Sequence, residues 1–130
     1  METGRILLVD DEPALLKMMS VYLGRRGYSV HTSSTTEQAS ELIDSEPLSY
    51  AVAVLDATMD GMSMEELALK MLQANPSLRV LATSGYPVDM SRLESAAPGR
   101  VAFLHKPFTP EMLAESIRGM LAAQTKSKEI

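Results

Sequence analysis

The chain contains no cysteine, which excludes disulfides, thiolate metal sites and cysteine nucleophiles. Histidine is scarce as well. His31 and His105 are the only two and lie far apart in the chain, so no His/Cys set is present from which to build a zinc site. Both read as partly exposed strand residues. Long hydrophobic runs are missing: the longest strongly apolar stretches, Ile6 to Val9 and Ala51 to Leu55, fall far short of the roughly 18 residues that suggest a membrane span. The opening Met-Glu-Thr-Gly-Arg lacks the charged and apolar regions of a signal peptide. Basic charge is in deficit, with 12 Lys and Arg against 17 Asp and Glu and a formal charge of −5. A nucleic-acid backbone or an anionic membrane would need a basic face. These absences predict a soluble cytoplasmic protein with no direct nucleic-acid partner and no membrane partner.

What is present fits one compact domain, since 130 residues bury one core of ordinary size and not two. Short apolar runs alternate with helix-period segments five times, the sequence form of a parallel α/β sheet with helices on both faces. The predicted strands are Arg5 to Val9, Tyr28 to Thr32, Tyr50 to Leu55, Leu78 to Thr83 and Val101 to His105. The first, third and fourth are nearly all apolar, as interior parallel strands should be; the second alternates and suits an edge.

The helices carry their own punctuation. The first opens near Pro13, shows Leu15, Met19, Tyr22 and Leu23 as its stripe, and stops at Gly27. Ser34-x-x-Glu37 and Ser63-x-x-Glu66 each read as a capping box. Thr109-Pro110 opens the last helix, with Leu113, Ile117, Met120 and Leu121 as its stripe. The polar tail 125–130 is expected to fray. Among the ten methionines, Met64, Met71 and Met120 read as core filler rather than a cofactor pocket.

In an open parallel sheet, ligands bind beyond the carboxyl ends of the strands. The first strand ends in Asp10-Asp11-Glu12, the third in Asp56, the fourth in Thr83-Ser84-Gly85 and the fifth in His105-Lys106-Pro107. Each residue also has a purely structural reading. Asp11 or Glu12 can cap the first helix, Asp56 a loop and Ser84 the fourth helix, while Lys106 can be an exposed strand end. Their joint fall at strand ends is what points to a site. Clustered carboxylates raise one another's pKa unless a cation intervenes, and magnesium prefers such oxygen ligands. One aspartate can then act as a nucleophile toward phosphorus while metal and lysine spread the charge. Ser84 can bond a phosphoryl oxygen, and Gly85 leaves room for it.

Val9-Asp10-Asp11-Glu12-Pro13, Leu55-Asp56-x-x-Met59-x-Gly61-Met62, Thr83-Ser84-Gly85-Tyr86 and Lys106-Pro107-Phe108 resemble the four signature segments of the receiver (response regulator) domains of two-component phosphorelay signalling. The resemblance runs from about Arg5 to Ala123 and implies one receiver domain over residues 1–124. It implies a flavodoxin-like, doubly wound five-stranded parallel sheet of order 2-1-3-4-5. Asp56 would be the phosphoacceptor. Asp11 would hold magnesium directly and Asp10 often through water, with Asp56 and the backbone carbonyl of Thr58 completing the ligands; manganese would be an acceptable substitute. Lys106 would pair with phosphoryl oxygens, Ser84 would be the switch hydroxyl, Phe103 the switch aromatic, and Pro107 would follow a cis peptide bond.

Implied partners are a sensor histidine kinase or phosphotransfer protein as donor and a downstream protein or linked output domain as reader. A phosphorylation-dependent homodimer is a further expectation. Such a domain is a signalling phosphoacceptor rather than an enzyme, with self-phosphorylation and slow autodephosphorylation at most. No output domain follows the last helix, which leaves a stand-alone regulator and a receiver of a hybrid kinase as equal expectations. Two departures stand in the loop after Asp56. Asp60 occupies a position where the family usually has proline, and Met64 one where it often has glycine. The loop thus loses a rigid residue and gains a carboxylate that would either weaken phosphoryl approach or reach the metal through water.

Other classes fit less well. A haloacid-dehalogenase-like phosphohydrolase calls for Asp-x-Asp where this chain has Asp56-Ala57-Thr58, and for an acidic motif after the lysine rather than before it. A receiver-like interaction module that is never phosphorylated would not need the intact acid pair, acceptor, hydroxyl and lysine. A flavin-binding protein would need a hydroxyl- and glycine-rich phosphate loop after the first strand.

Overall fold

The computed structural model describes residues 4–129, with side chains as far as Ala123. Strands and helices alternate along the chain as β1 (Arg5–Val9), α1 (Pro13–Arg25), β2 (Ser29–Ser33), α2 (Thr36–Ser45), β3 (Val52–Asp56), α3 (Met64–Ala74), β4 (Arg79–Ser84), α4 (Ser91–Ala96), β5 (Val101–His105) and α5 (Pro110–Glu129). The strands form one parallel sheet of order β2-β1-β3-β4-β5, as the resemblance implied. Every residue of β3 and β4 is buried, whereas most of edge strand β2 is not.

Side chains alternate across each strand, and the two sets close two cores. Leu7, Val9, Ala53, Leu55, Val80 and Ala82 pack under α2, α3 and α4, together with Ile43, Leu67, Met71 and Leu93. Ile6, Leu8, Val52, Val54 and Leu81 face the other way, onto Leu16, Met19 and Leu23 of α1 and Leu113 and Ile117 of α5. Each fully buried aliphatic side chain contributes roughly 1.5–3 kcal/mol, so the sheet is rigid where its carboxyl ends must hold polar groups. Met64 and Met71 are buried and Met120 packs at the margin, which bears out their reading as core filler.

Local hydrogen bonding explains where the elements depart from expectation. α1 ends in a Schellman motif, with Tyr28 N–H donating to Leu23 O at 3.2 Å and Gly27 N–H to Gly24 O at 3.1 Å. Gly27 there has φ 100°, open to glycine at no steric cost. Tyr28 is thereby spent on the helix end, and β2 begins one residue later than expected. β3 begins at Val52 rather than Tyr50, whose buried carbonyl accepts from Asn75 Nδ2 at 3.1 Å. β4 begins at Arg79 because Leu78 N–H closes a turn onto Asn75 O at 3.2 Å. At the start of α1 the buried leucine is Leu16 and not the half-buried Leu15; Met19 and Leu23 are buried as expected.

The Ser63–Glu66 capping box is present at the start of α3. The one expected at Ser34 and Glu37 is not: Thr35 caps α2, accepting from Gln38 N–H at 3.0 Å. With hydroxyls at 34, 35 and 36 in a row, sequence spacing alone does not choose among them. Thr109 caps α5 by accepting from Met112 N–H at 3.0 Å. That helix continues to Glu129; Ile130 lies outside the described residues.

Candidate functional site

The parallel register aligns the carboxyl ends of the strands, and the polar residues that follow each apolar run meet there. Asp10 follows β1, Asp56 closes β3, Ser84 closes β4, and Lys106 follows β5. Asp10, Asp56 and Ser84 are buried, at 6%, 5% and 1% exposure, whereas Asp11 is exposed. Carboxylate oxygens of Asp10, Asp11 and Asp56 all lie within 4.8 Å of one another. The Lys106 ammonium lies 2.9 Å from Asp10 Oδ2 and 3.5 Å from Asp56 Oδ2. The Lys106–Pro107 peptide bond is cis.

The two buried carboxylates are each held in place by backbone. Asp10 Oδ1 accepts from Glu12 N–H at 3.0 Å. Asp56 Oδ1 accepts from Thr58 N–H at 3.1 Å and from the Thr58 hydroxyl at 2.9 Å, which fixes the carboxylate plane. Burial raises the Asp10 carboxyl above the ordinary aspartate value, and the charge of Asp56 adds to the rise; the hydrogen bonds from Lys106 and Glu12 and the charge of Lys106 work against it. For Lys106, burial acts to lower the ammonium pKa. The hydrogen bond and charge of Asp10, with those of Asp56, outweigh it and hold the pKa above its ordinary value.

Ser84 is not the cap of the fourth helix, which begins seven residues later at Ser91. Its hydroxyl accepts from Tyr86 N–H at 3.0 Å. Phe103 pairs with Ala82 across the β4–β5 ladder, and Ser84 pairs with His105, so Ser84 and Phe103 share a sheet face. Phe103 is half-buried against the core beneath α3 and α4, its ring edge-on to His105 at 6.3 Å. Asp60 is exposed and is not a member of the carboxylate cluster among the described residues. A groove lined by Glu12, Leu15, Gly85, Lys106, Pro107 and Phe108 opens beside the acids.

Sequence reasoning missed two contributions. The side chain of Thr58 was passed over in favour of its carbonyl, although a hydroxyl two residues after an aspartate is a recognisable turn signal. Thr36 was missed altogether. Buried at 2% exposure at the start of α2, it accepts from Met62 N–H at 3.1 Å and lies 3.4 Å from Asp60 O. Nothing in a 24–26 residue separation announces that contact.

A doubly wound α/β sheet with three carboxylates and an ammonium at its carboxyl edge defines a flavodoxin-like domain with a polar, cation-ready cleft. The chain belongs to the response regulator receiver domain family, whose sequence profile matches residues 6–118. Sensor kinase CckA of Brucella abortus is 29% identical over 122 residues, 94% of this chain and 13% of that protein. Transcriptional regulatory protein YvrH of Bacillus subtilis is 31% identical over 130 residues, 99% of this chain and 54% of that protein. The chain thus spans about half or less of the length of these relatives. The crystal structure of a CheY-like receiver domain protein from Methanospirillum hungatei superposes with a TM-score of 0.81 at 27% identity, over 97% of this chain and 99% of that one. The chain is therefore a phosphoacceptor domain of two-component signalling.

Proposed function

We propose that Asp56 is the residue that takes the phosphoryl group. The observation that carries this reading is its position: it is buried at the end of a central strand, clustered with the Asp10 and Asp11 carboxylates and 3.5 Å from the Lys106 ammonium, which also pairs with Asp10. Three oxygen donors and no soft ligand suit a hard divalent cation. Asp10, Asp11 and Asp56 with the Thr58 carbonyl would hold magnesium, or manganese in its place. The ion, when bound, supplies charge neutralisation for the transferring group.

The chain's own residues do the rest. A carboxylate oxygen of Asp56 forms a P–O bond as the P–N bond of a phosphohistidine breaks, and the electron pair leaves with the donor imidazole, which is protonated there. Thr58 orients the carboxylate through two hydrogen bonds to Oδ1. Lys106 is placed to move from its two carboxylate partners onto phosphoryl oxygens, where a charge-assisted bond is stronger than a neutral one. Ser84 supplies a hydroxyl that turns from Tyr86 toward the phosphoryl group, and Phe103 follows it inward.

In this reading the receiver unit spans residues 1–124 and acts in the cytoplasm. A sensor histidine kinase or phosphotransfer protein donates across the groove beside Lys106. A downstream protein or a linked output domain reads the change, without direct nucleic-acid contact by this domain, and phosphorylation favours a homodimer. Chemistry stops at self-phosphorylation and slow autodephosphorylation. Treatment with acetyl phosphate and magnesium should add one phosphoryl mass to the wild type and none to Asp56→Asn; an equally labelled Asp56→Asn would remove the assignment.

A further inference from the structure

We propose that Thr36 is a positioning residue for phosphoryl transfer, acting through the loop between β3 and α3; this rests on Asp56 being the acceptor. The loop 57–63 reads Ala-Thr-Met-Asp-Gly-Met-Ser and contains no proline to stiffen it. It turns at Gly61, whose φ of 92° is a left-handed conformation that only glycine adopts freely. A Cβ there would also sit 2.6 Å from Thr36 Oγ1 and 2.8 Å from Glu37 Oε2, so the loop backbone is pressed against the first turn of α2.

At that contact the Thr36 hydroxyl reaches the loop on both sides of the glycine. It accepts from Met62 N–H at 3.1 Å, and its own proton is shared between Asp60 O and Glu37 Oε1, each at 3.4 Å. The Met62 bond is the firm one by distance. Thr58 bonds back to Asp56 at the end of β3, and Ala57 N–H is tied to Thr83 O of β4 at 2.8 Å. Among the described residues, and apart from the Thr58 bonds to Asp56 at the end of β3, Thr36 makes the one hydrogen-bonded tie from another element to residues 58–62. The remaining restraint is apolar, from Met59 and Met62 on the core, and packing of that kind fixes depth better than direction.

The consequence is a chain of rigid contacts from α2 to the acceptor. Thr36 holds Met62 and Asp60, the loop they bound is short, and its other end carries Thr58, whose N–H and hydroxyl set the Asp56 carboxylate plane. Removing the hydroxyl leaves Asp56 and the acid pair intact but frees the loop, so productive alignment becomes rarer. Loss of a hydrogen bond of ordinary net strength corresponds to about 5-fold in population.

The test pairs Thr36→Val, which keeps shape without the hydroxyl, with Thr36→Ser, which keeps the hydroxyl. Amide hydrogen exchange at Met62 reads the brace directly and needs no phosphorylation; it should quicken about 5-fold or more in Thr36→Val and stay near wild type in Thr36→Ser. Asp56 labelling by acetyl phosphate and magnesium, scaled to the folded fraction from urea unfolding, should slow by a similar factor in Thr36→Val and recover in Thr36→Ser. Labelling of Thr36→Val at the wild-type rate, or of Thr36→Ser as slowly as Thr36→Val, would overturn the proposal. An unlabelled wild type would instead strike the phosphoacceptor assignment itself, which the exchange measurement separates from the brace.

Discussion

Asp10 and Asp11 are neighbours in sequence and opposites in environment, one buried against Lys106 and the other exposed. That contrast divides their work. Asp10 is already engaged by Lys106 and by Glu12 N–H, so Asp11 has the carboxylate more available to a cation. Magnesium titration of single alanine variants should therefore show the largest affinity loss for Asp11→Ala, a smaller one for Asp10→Ala, and little change for Asp60→Ala, whose side chain lies outside the cluster. A larger loss for Asp60→Ala would mean that the loop carboxylate has taken over the metal. Burial also gives Asp10 a pH signature. Its folded pKa lies above the unfolded one, so its ionisation costs the folded state; the cost is present above the folded pKa and disappears as pH falls below the unfolded value. Lys106 has the complementary sign: its stabilising contribution is complete below its unfolded pKa and lost as pH rises through the higher folded one. Metal-free Asp10→Asn should accordingly unfold at a higher urea midpoint than wild type at neutral pH; a lower midpoint would show that the ion pair with Lys106 outweighs the burial cost.

At the scale of elements, the strand ends explain why the site was legible and the switch was not. Residues after an apolar run in a parallel sheet share one edge by topology, so Asp10, Asp56, Ser84 and Lys106 could be gathered without knowing any distance. The strand limits themselves moved by one or two residues at Tyr28, Tyr50 and Leu78, because the Tyr28 and Leu78 N–H groups close turns and the Tyr50 carbonyl is taken by the Asn75 side chain. The capping of α2 was misplaced for a related reason: it follows a run of hydroxyl residues from Thr32 to Thr36, and only the fold reveals that Thr36 is drawn to the loop after Asp56. Phe103 belongs to the same class of question. Its half-buried ring shares a face with Ser84, so inward movement of the hydroxyl vacates space toward which the ring can turn. One charge-assisted hydrogen bond is worth roughly 1.5–3 kcal/mol, or about 10- to 150-fold in population, so the proposed shift should be incomplete until a partner binds. With a beryllium fluoride phosphoryl mimic, NMR resonances around Phe103 should move in wild type and not in Ser84→Ala. Equal movement in both would mean that the aromatic responds without the hydroxyl.

The whole molecule holds its polar groups at the carboxyl ends of strands packed on both faces. Two apolar layers clamp the sheet, no helix among the described residues is long and apolar enough to cross a membrane, and at the carboxyl edge the Lys106 ammonium faces the acids. On the proposed reading, such a surface takes up a phosphoryl group only where a cation offsets the acids, and one residue, Asp56, would carry it. That residue can be located chemically. Borohydride reduces an aspartyl phosphate to homoserine, and peptide mass spectrometry after acetyl phosphate and magnesium treatment reads the position. Homoserine at position 56, absent when magnesium is withheld, is the expected result; homoserine at position 10, 11 or 60 with none at 56 would contradict the account.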